Sequence, residues 1–212
     1  FGLNSYSNDG SMAAKFNFYS TTCSDRIATK YVQNPENEDN DIIYLTGINQ
    51  AHSGIELELQ AQLHPMFRMD LGAGIGNWMF TDDATGTYRD GEEDVSYSYA
   101  LKDLKVGDMP QASLLAGFTL TPIEGASVRM QYRYYALHYS DWGPEGREYT
   151  NEESKDNLPA WRAPDYGLLD LHASYNLPFE FGSASPQLYL HVFNMLDATY
   201  IQDATDNSSY NS

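Results

Sequence analysis

No apolar run in the 212-residue chain approaches the ~18 residues that a membrane-spanning helix needs. A helical membrane protein is therefore excluded. A β-barrel is not, because its strands are only half apolar. There is one cysteine, Cys23, so no internal disulfide can form, and a small strand residue is the expected role. Basic residues are scarce: 12 Lys and Arg stand against 30 Asp and Glu, for a net charge of −18. That excludes nucleic acid as a partner, since phosphate binding needs a basic surface. Neither His nor Cys recurs at zinc or haem spacing. The opening stretch "FGLNSYSNDG" has no basic segment followed by an apolar one. The expectation is that no signal peptide is present, so the chain is either not exported or an internal piece of something longer.

What the chain has in abundance is aromatic residues (17 Tyr, 9 Phe and 3 Trp) and alternation. Segments of period two recur at about 1–7, 11–23, 43–63, 66–80, 106–121, 126–139, 165–178 and 186–200, which predicts eight β-strands. Gly and Pro punctuate them throughout. The connections alternate in length. Short ones fall near 7–10, 64–65, 121–126 and 178–186, and long ones at about 24–41, 82–105, 139–165 and 197–212. An up-and-down antiparallel sheet with tight turns at one end and elaborated loops at the other gives this order. Membrane barrels have that asymmetry.

The long loops and the tail hold most of the 30 acidic and 12 basic residues. Eight charges lie within strands: Lys15, Glu56, Glu58, Arg68, Asp70, Arg129, Arg133 and Asp170. Each has the parity opposite to the apolar set of its strand, so one face of the sheet is free of charge. A slip of one residue would put charge on that face. A soluble β-sandwich also has two unlike faces. Three features favour the membrane. The strands exceed the ~9–11 tilted residues needed to cross a bilayer. Aromatics (Trp78, Phe80, Tyr135, Tyr139, Trp142, Trp161, Tyr166 and Tyr200) crowd the strand ends near the long loops, where an interfacial girdle would lie. The loops are too long and too acidic for a compact sandwich. In a barrel, Val128, Met130, Tyr132 and Tyr134 face lipid, and Arg129, Gln131 and Arg133 face the lumen.

Three stretches resemble TonB-dependent outer-membrane receptors. "LYLHVFNMLDATYIQDA" (188–204) is similar to the family's penultimate strand, with Val192, Asn194, Asp197 and Tyr200 on the pattern and Met195-Leu196 in place of the usual Leu-Phe. "HSGIELELQAQLHPMFRMDLGAGI" (52–75) resembles its Gly-Ile/Val-Glu strand, tight turn and next strand. "APDYGLLDLHASYNL" (163–177) resembles its Pro-x-Tyr-x-Leu-x-Asp strand. The resemblance implies the C-terminal third of a receptor: an all-β, antiparallel up-and-down transmembrane barrel fragment, with about eight strands, fourteen to twenty-one, of a 22-stranded barrel. It implies that residues 1–212 are a partial barrel domain whose plug domain and last strand lie elsewhere. It also implies a cell outer-membrane location, TonB-energised uptake of a ferric siderophore, haem, cobalamin or oligosaccharide, and contact with the TonB complex through the plug. The residues expected to face lumen or plug are Glu56, Glu58, Arg68, Asp70, Arg129, Gln131, Arg133, Asp170 and His172.

Asp170, His172 and Ser174 share a strand face, as a hydrolase triad on a barrel wall would. Same-face neighbours sit ~6.7 Å apart, however, and a triad needs contacts of ~3 Å. A polar lumen lining is the expectation. Glu56 and Glu58 match the ~5–9 Å spacing of glycosidase carboxylates, but nothing nearby marks either as a general acid. No enzyme activity is expected. Substrate contact is assigned to the third long loop, at His138, Tyr139, Trp142, Arg147 and Tyr149, where aromatic rings can stack on a small-molecule or oligosaccharide ligand. No cofactor is expected. Calcium held by the acidic outer loops, such as "NPENEDND" (34–41), stays open, although the EF-hand spacing is absent. The alternative reading is a soluble, secreted all-β carbohydrate-binding module.

Overall fold

A computed structural model describes residues 1–33, 40–90, 93–144, 146–180 and 182–206; for 32–33, 40–41, 88–90 and 93–95 it describes the backbone alone. The chain is all-β. Eight strands form a meander: β1 (Gly2–Tyr6), β2 (Met12–Gln33), β3 (Asn40–His64), β4 (Phe67–Phe80), β7 (Pro110–Leu120), β8 (Ala126–His138), β11 (Tyr166–Asn176) and β12 (Gln187–Val192). Each pairs antiparallel with the next, and the sheet does not close on itself. The tight turns lie at one end. Gly10 (φ 71°) and Gly125 (φ 78°) occupy left-handed positions there that other residues adopt at a cost.

Cross-strand register decides which side chains share a face. Leu3, Phe16, Leu57, Ala73, Leu114 and Tyr134 form one row across six strands. Met12, Ala61, Met69, Phe118, Met130 and Leu171 form another. No charge enters either row. All eight strand charges fall on the opposite face. Lys15, Glu58 and Arg133 lie in one row and Asp70, Gln131 and Asp170 in the next. Arg68, Arg129 and His172 follow. The expected parity is thus the observed one. The apolar face is bare: Leu57, Ile75 and Leu114 are each more than half exposed. A soluble sandwich would cover them with a second sheet, and no described residue does so. A continuous apolar surface of this extent needs a non-aqueous neighbour.

At the other end the structure departs from the expected loops. β2 and β3 continue as a paired ribbon into the region read as loop 24–41, as far as Gln33 and Asn40. The region 82–105 contains a hairpin, β5 (Ala84–Asp90) and β6 (Glu93–Tyr99), with β5 paired to upper β3. The third loop carries β9 (Asp141–Trp142) and β10 (Glu148–Tyr149), followed by a 3-10 turn, Glu152–Ser154. The tail adds β13 (Thr205–Asp206), parallel to β9. The β2–β3 extension was illegible because β-bulges between Cys23, Arg26 and Ala28 break the alternation. Asp25 (φ 54°) and Gly47 (φ 69°) mark the break. Above it, the side that carries Glu56 and Glu58 lower down carries Ile48, Leu45 and Ile43 instead, each at most 5% exposed. They pack with Phe80, Tyr99, Leu101, Leu104 and Trp142 into a small core. The wall is polar inside, and its outer cap is apolar inside.

The aromatic girdle needs correction. Tyr135 and Tyr166 lie on the charged face, paired with each other and with Ser113. Trp78 shares that face, paired with His52, and Phe80 and Trp142 are cap core. Tyr139 packs against that core and Tyr200 stacks on Tyr166 at 4.5 Å. Of the eight, Trp161 and Tyr200 are the exposed rings, at 45% and 41%. Position near a strand end did not decide orientation; parity did. β12 also stops at Val192 and not near 200. Asn194 and Asp197 both take φ 50°, and the Asn194 side chain bonds both backbone groups of Ala198 at 3.0 Å, closing a tight turn.

Candidate functional site

The charged face is a network of paired groups. Arg68 donates through Nε and Nη2 to Oδ1 of Asp70, at 2.9 and 2.8 Å. Arg129 places Nη1 3.2 Å from the other Asp70 oxygen and donates from Nη2 to Gln131 at 3.1 Å. Gly117 lies between the strands that carry these two residues. A Cβ there would stand 3.2 Å from Arg129 Nη2 and 3.5 Å from Asp70 Cβ, so the glycine opens the path across β7. Arg133 donates to Oδ2 of Asp170, whose Oδ1 accepts the Asn194 amide at 2.9 Å. Both aspartates are buried, and a buried charge that lost its partner would be strongly unfavourable.

Glu58 takes Lys15 at 3.1 Å and Glu56 accepts from Asn17 at 3.3 Å, so each has a cross-strand partner. Asp170 and His172 are both engaged away from Ser174. Asp170 holds Arg133, and Nδ1 of His172 meets Nδ1 of His191 at 2.8 Å. No relay from carboxylate to imidazole to hydroxyl is formed.

Above the ion pairs and below the cap lies a recess of about 500 Å³, lined by Asn17, Tyr19, Arg26, His52, Glu56 and Trp78. Its floor is aromatic. Trp78 Nε1 donates to the Tyr19 hydroxyl at 2.8 Å, and both rings lie against the backbone at Gly54 and Gly76. A Cβ at Gly54 would meet Tyr19 at 2.4 Å and one at Gly76 would meet Trp78 at 2.6 Å. The two glycines are what let the rings lie flat on the wall. Arg26 and His52 both contact Oε1 of Gln50, at 2.8 and 3.2 Å. Sequence reasoning missed this recess. Tyr19, His52 and Trp78 sit 33 and 26 residues apart, and only the register joins them.

The third-loop residues assigned to substrate are largely interior. His138, Trp142 and Arg147 are each at most 4% exposed. Arg147 donates to the Leu158 carbonyl at 2.7 Å and to Asp206 at 2.9 Å, so it ties the third loop to the tail. Tyr149, half-buried, donates to Asp83 at 2.7 Å. Tyr139 is half-buried against the cap core. Asp83 organises the cap. Burial works to raise its pKa, but Lys155, the Lys102 and Leu101 amides and the Tyr149 hydroxyl outweigh burial and hold it at about 2. Asp108 shows the opposite balance. Burial and the neighbouring carboxylates of Asp141 and Asp203 push it up to about 6, against the pull of Lys30. Lys30 itself pairs with Asp141 and lies over the Trp142 ring. Most of the acidic stretch considered for calcium, 34–39, lies outside the described residues.

A sheet with one bare apolar face, an ion-pair network anchored on two buried aspartates on the other and a folded cap at one end defines a wall of an outer-membrane β-barrel. The chain belongs to the family described as TonB dependent receptor-like, beta-barrel, which it matches over residues 1–195. At the level of the family it is an outer-membrane receptor or transporter and not an enzyme. No curated protein and no solved structure matches the chain.

Proposed function

We propose that this wall serves TonB-energised uptake of a scarce solute, of the class of a ferric siderophore, haem, cobalamin or an oligosaccharide. The observation that carries the reading is the pairing of a charge-free face with a face of ion pairs built on two buried aspartates, Asp70 and Asp170. In this reading the apolar face meets the lipid bilayer. Glu56, Glu58, Arg68, Asp70, Arg129, Gln131, Arg133, Asp170 and His172 line the lumen and meet the plug domain, through which the TonB complex delivers energy. The cap receives the ligand. Tyr139 and Tyr149 contact it at the half-buried rim, while His138, Trp142 and Arg147 fix the shape of that rim. The recess floored by Tyr19 and Trp78 lies next on the ligand's path.

The test is uptake by cells carrying the intact receptor, its deletion, or the intact receptor with the inner-membrane motor inactivated. Accumulation of one of these solutes should need both receptor and motor. Equal accumulation with and without the motor would overturn the energised reading, and equal growth of the deletion strain on every candidate solute would overturn uptake.

A further inference from the structure

Two of the five histidines meet on the charged face. His172 of β11 and His191 of β12 are direct cross-strand partners, and their Nδ1 atoms are 2.8 Å apart. One of these nitrogens carries the proton and the other presents a lone pair to it. From this geometry we infer a two-imidazole site for a borderline divalent transition-metal ion of the zinc, nickel and copper group.

The argument starts from distance. Imidazole nitrogens bind zinc at about 2.0–2.1 Å, so two of them on a tetrahedral ion stand about 3.3 Å apart. For an ion to replace the shared proton the nitrogens part by about half an ångström and both rings, whose centroids stand 5.0 Å apart, tilt off the N–N line toward it. Register supplies the preorganisation: six consecutive pairs fix β12 against β11, and the two imidazoles leave the sheet side by side. Rings back them up. Phe193 lies 5.5 Å from His172, edge on, and Tyr189 stacks on His191 at 6.1 Å. These walls limit the rotamers available to both imidazoles.

Charge also permits a cation. The two cationic side chains in the same row, Arg68 and Arg129, are both committed to Asp70, and Arg129 also donates to Gln131. Asp170, two residues along the same face, is paired with Arg133. Ser174 and Tyr189, on the other side, are neutral. The acidic chain as a whole, at −18, raises the local concentration of divalent cations. Among the described residues no third His, Cys, Asp or Glu completes the set, so water fills the remaining positions. Such a site is labile, and its occupant exchanges with ions in the lumen. Soft thiolate chemistry is absent and hard oxygen donors are few, which disfavours copper(I), calcium and magnesium.

The test uses the intact receptor in detergent, carrying no histidine tag, titrated with Cu²⁺ and Zn²⁺ at pH 7.5. Copper should bind with a dissociation constant below about 10 µM, and its paramagnetic resonance spectrum should show nitrogen coupling from two imidazoles. His172→Ala and His191→Ala should each weaken binding at least about tenfold, with the double substitution little worse than either one. His64→Gln, at the turn before β4, should leave the titration unchanged. Heat-modifiable mobility of each variant checks that the barrel forms, and His191→Gln replaces any alanine variant that fails it. No binding tighter than about 100 µM, or an unchanged titration in variants at both histidines, overturns the site.

Discussion

At the scale of single residues, the cap holds two carboxylates with opposite pH behaviour. Asp83, held at about 2, contributes stability that is present above pH 3.8 and is lost as pH falls toward 2. Asp108, raised to about 6, binds its proton more tightly in the folded cap than in the unfolded chain. Its contribution is fully present below pH 3.8 and is lost as pH rises through 6. The tail is clasped beside it: the Asp141 amide donates to Ala204 and the Gly143 amide to Asp206, at 2.8 and 2.9 Å. The expected outcome is faster exchange of the Asp141 and Gly143 amides at pH 7.5 than at pH 5, after correction for intrinsic rates. Asp108→Asn should remove most of that difference. Identical protection at both pH values would show that the carboxylates do not govern the clasp. None of this was legible in the sequence. Asp108, Asp141 and Asp203 are far apart in the chain: Asp108 reads as the start of a strand, and acids in polar loops read as a solvated surface. Only the fold brings them to one place beside Lys30.

At the scale of elements, legibility was high for the wall and low for the cap, for one physical reason. A wall strand separates two solvents, so each side chain is forced to one side and the alternation is strict. Lys15, Glu56, Asp70 and Arg129 obeyed that rule, and the register upholds every one of them. Above the bilayer both surroundings are watery or protein. There the ribbon bulges at Asp25 and Gly47, and strands such as β5 and β6 carry Thr, Ser and Tyr that read as loop. The charge partners were also hidden. Arg129 finds Asp70 across a glycine two strands away, which periodicity within one strand cannot show. The wall's separation of faces has a measurable consequence. Met130→Arg, on the apolar face, should destabilise the folded barrel in lipid by about 2–4 kcal/mol, while Gln131→Arg, next to it, should change stability by less than about 1 kcal/mol. Reversible urea unfolding in vesicles measures both. Equal costs would mean that the two faces do not meet different media.

At the scale of the whole molecule, the sheet joins two designs end to end. Near the tight turns its interior is ionic and its exterior apolar. Near the cap an ordinary hydrophobic core, with Leu45 and Leu101 at 0% exposure, holds loops that sequence patterning leaves open. The inversion lets a rigid wall display a shaped surface beyond the bilayer, as suits a receptor whose ligand is met outside and carried through. The membership in the TonB dependent receptor-like barrel family fits that division, since the match runs along nearly all of the wall.

The most direct test of the membrane-wall reading is single-cysteine labelling of the intact protein in vesicles, on a Cys23→Ser background, at Leu114→Cys, Met130→Cys, Gln131→Cys and Ser113→Cys. A fluorophore at 114 and 130 should be quenched by brominated lipid and spared by iodide, while one at 113 and 131 should show the reverse. Quenching by iodide at all four positions, or by lipid at 113 and 131, would contradict the assignment of the two faces.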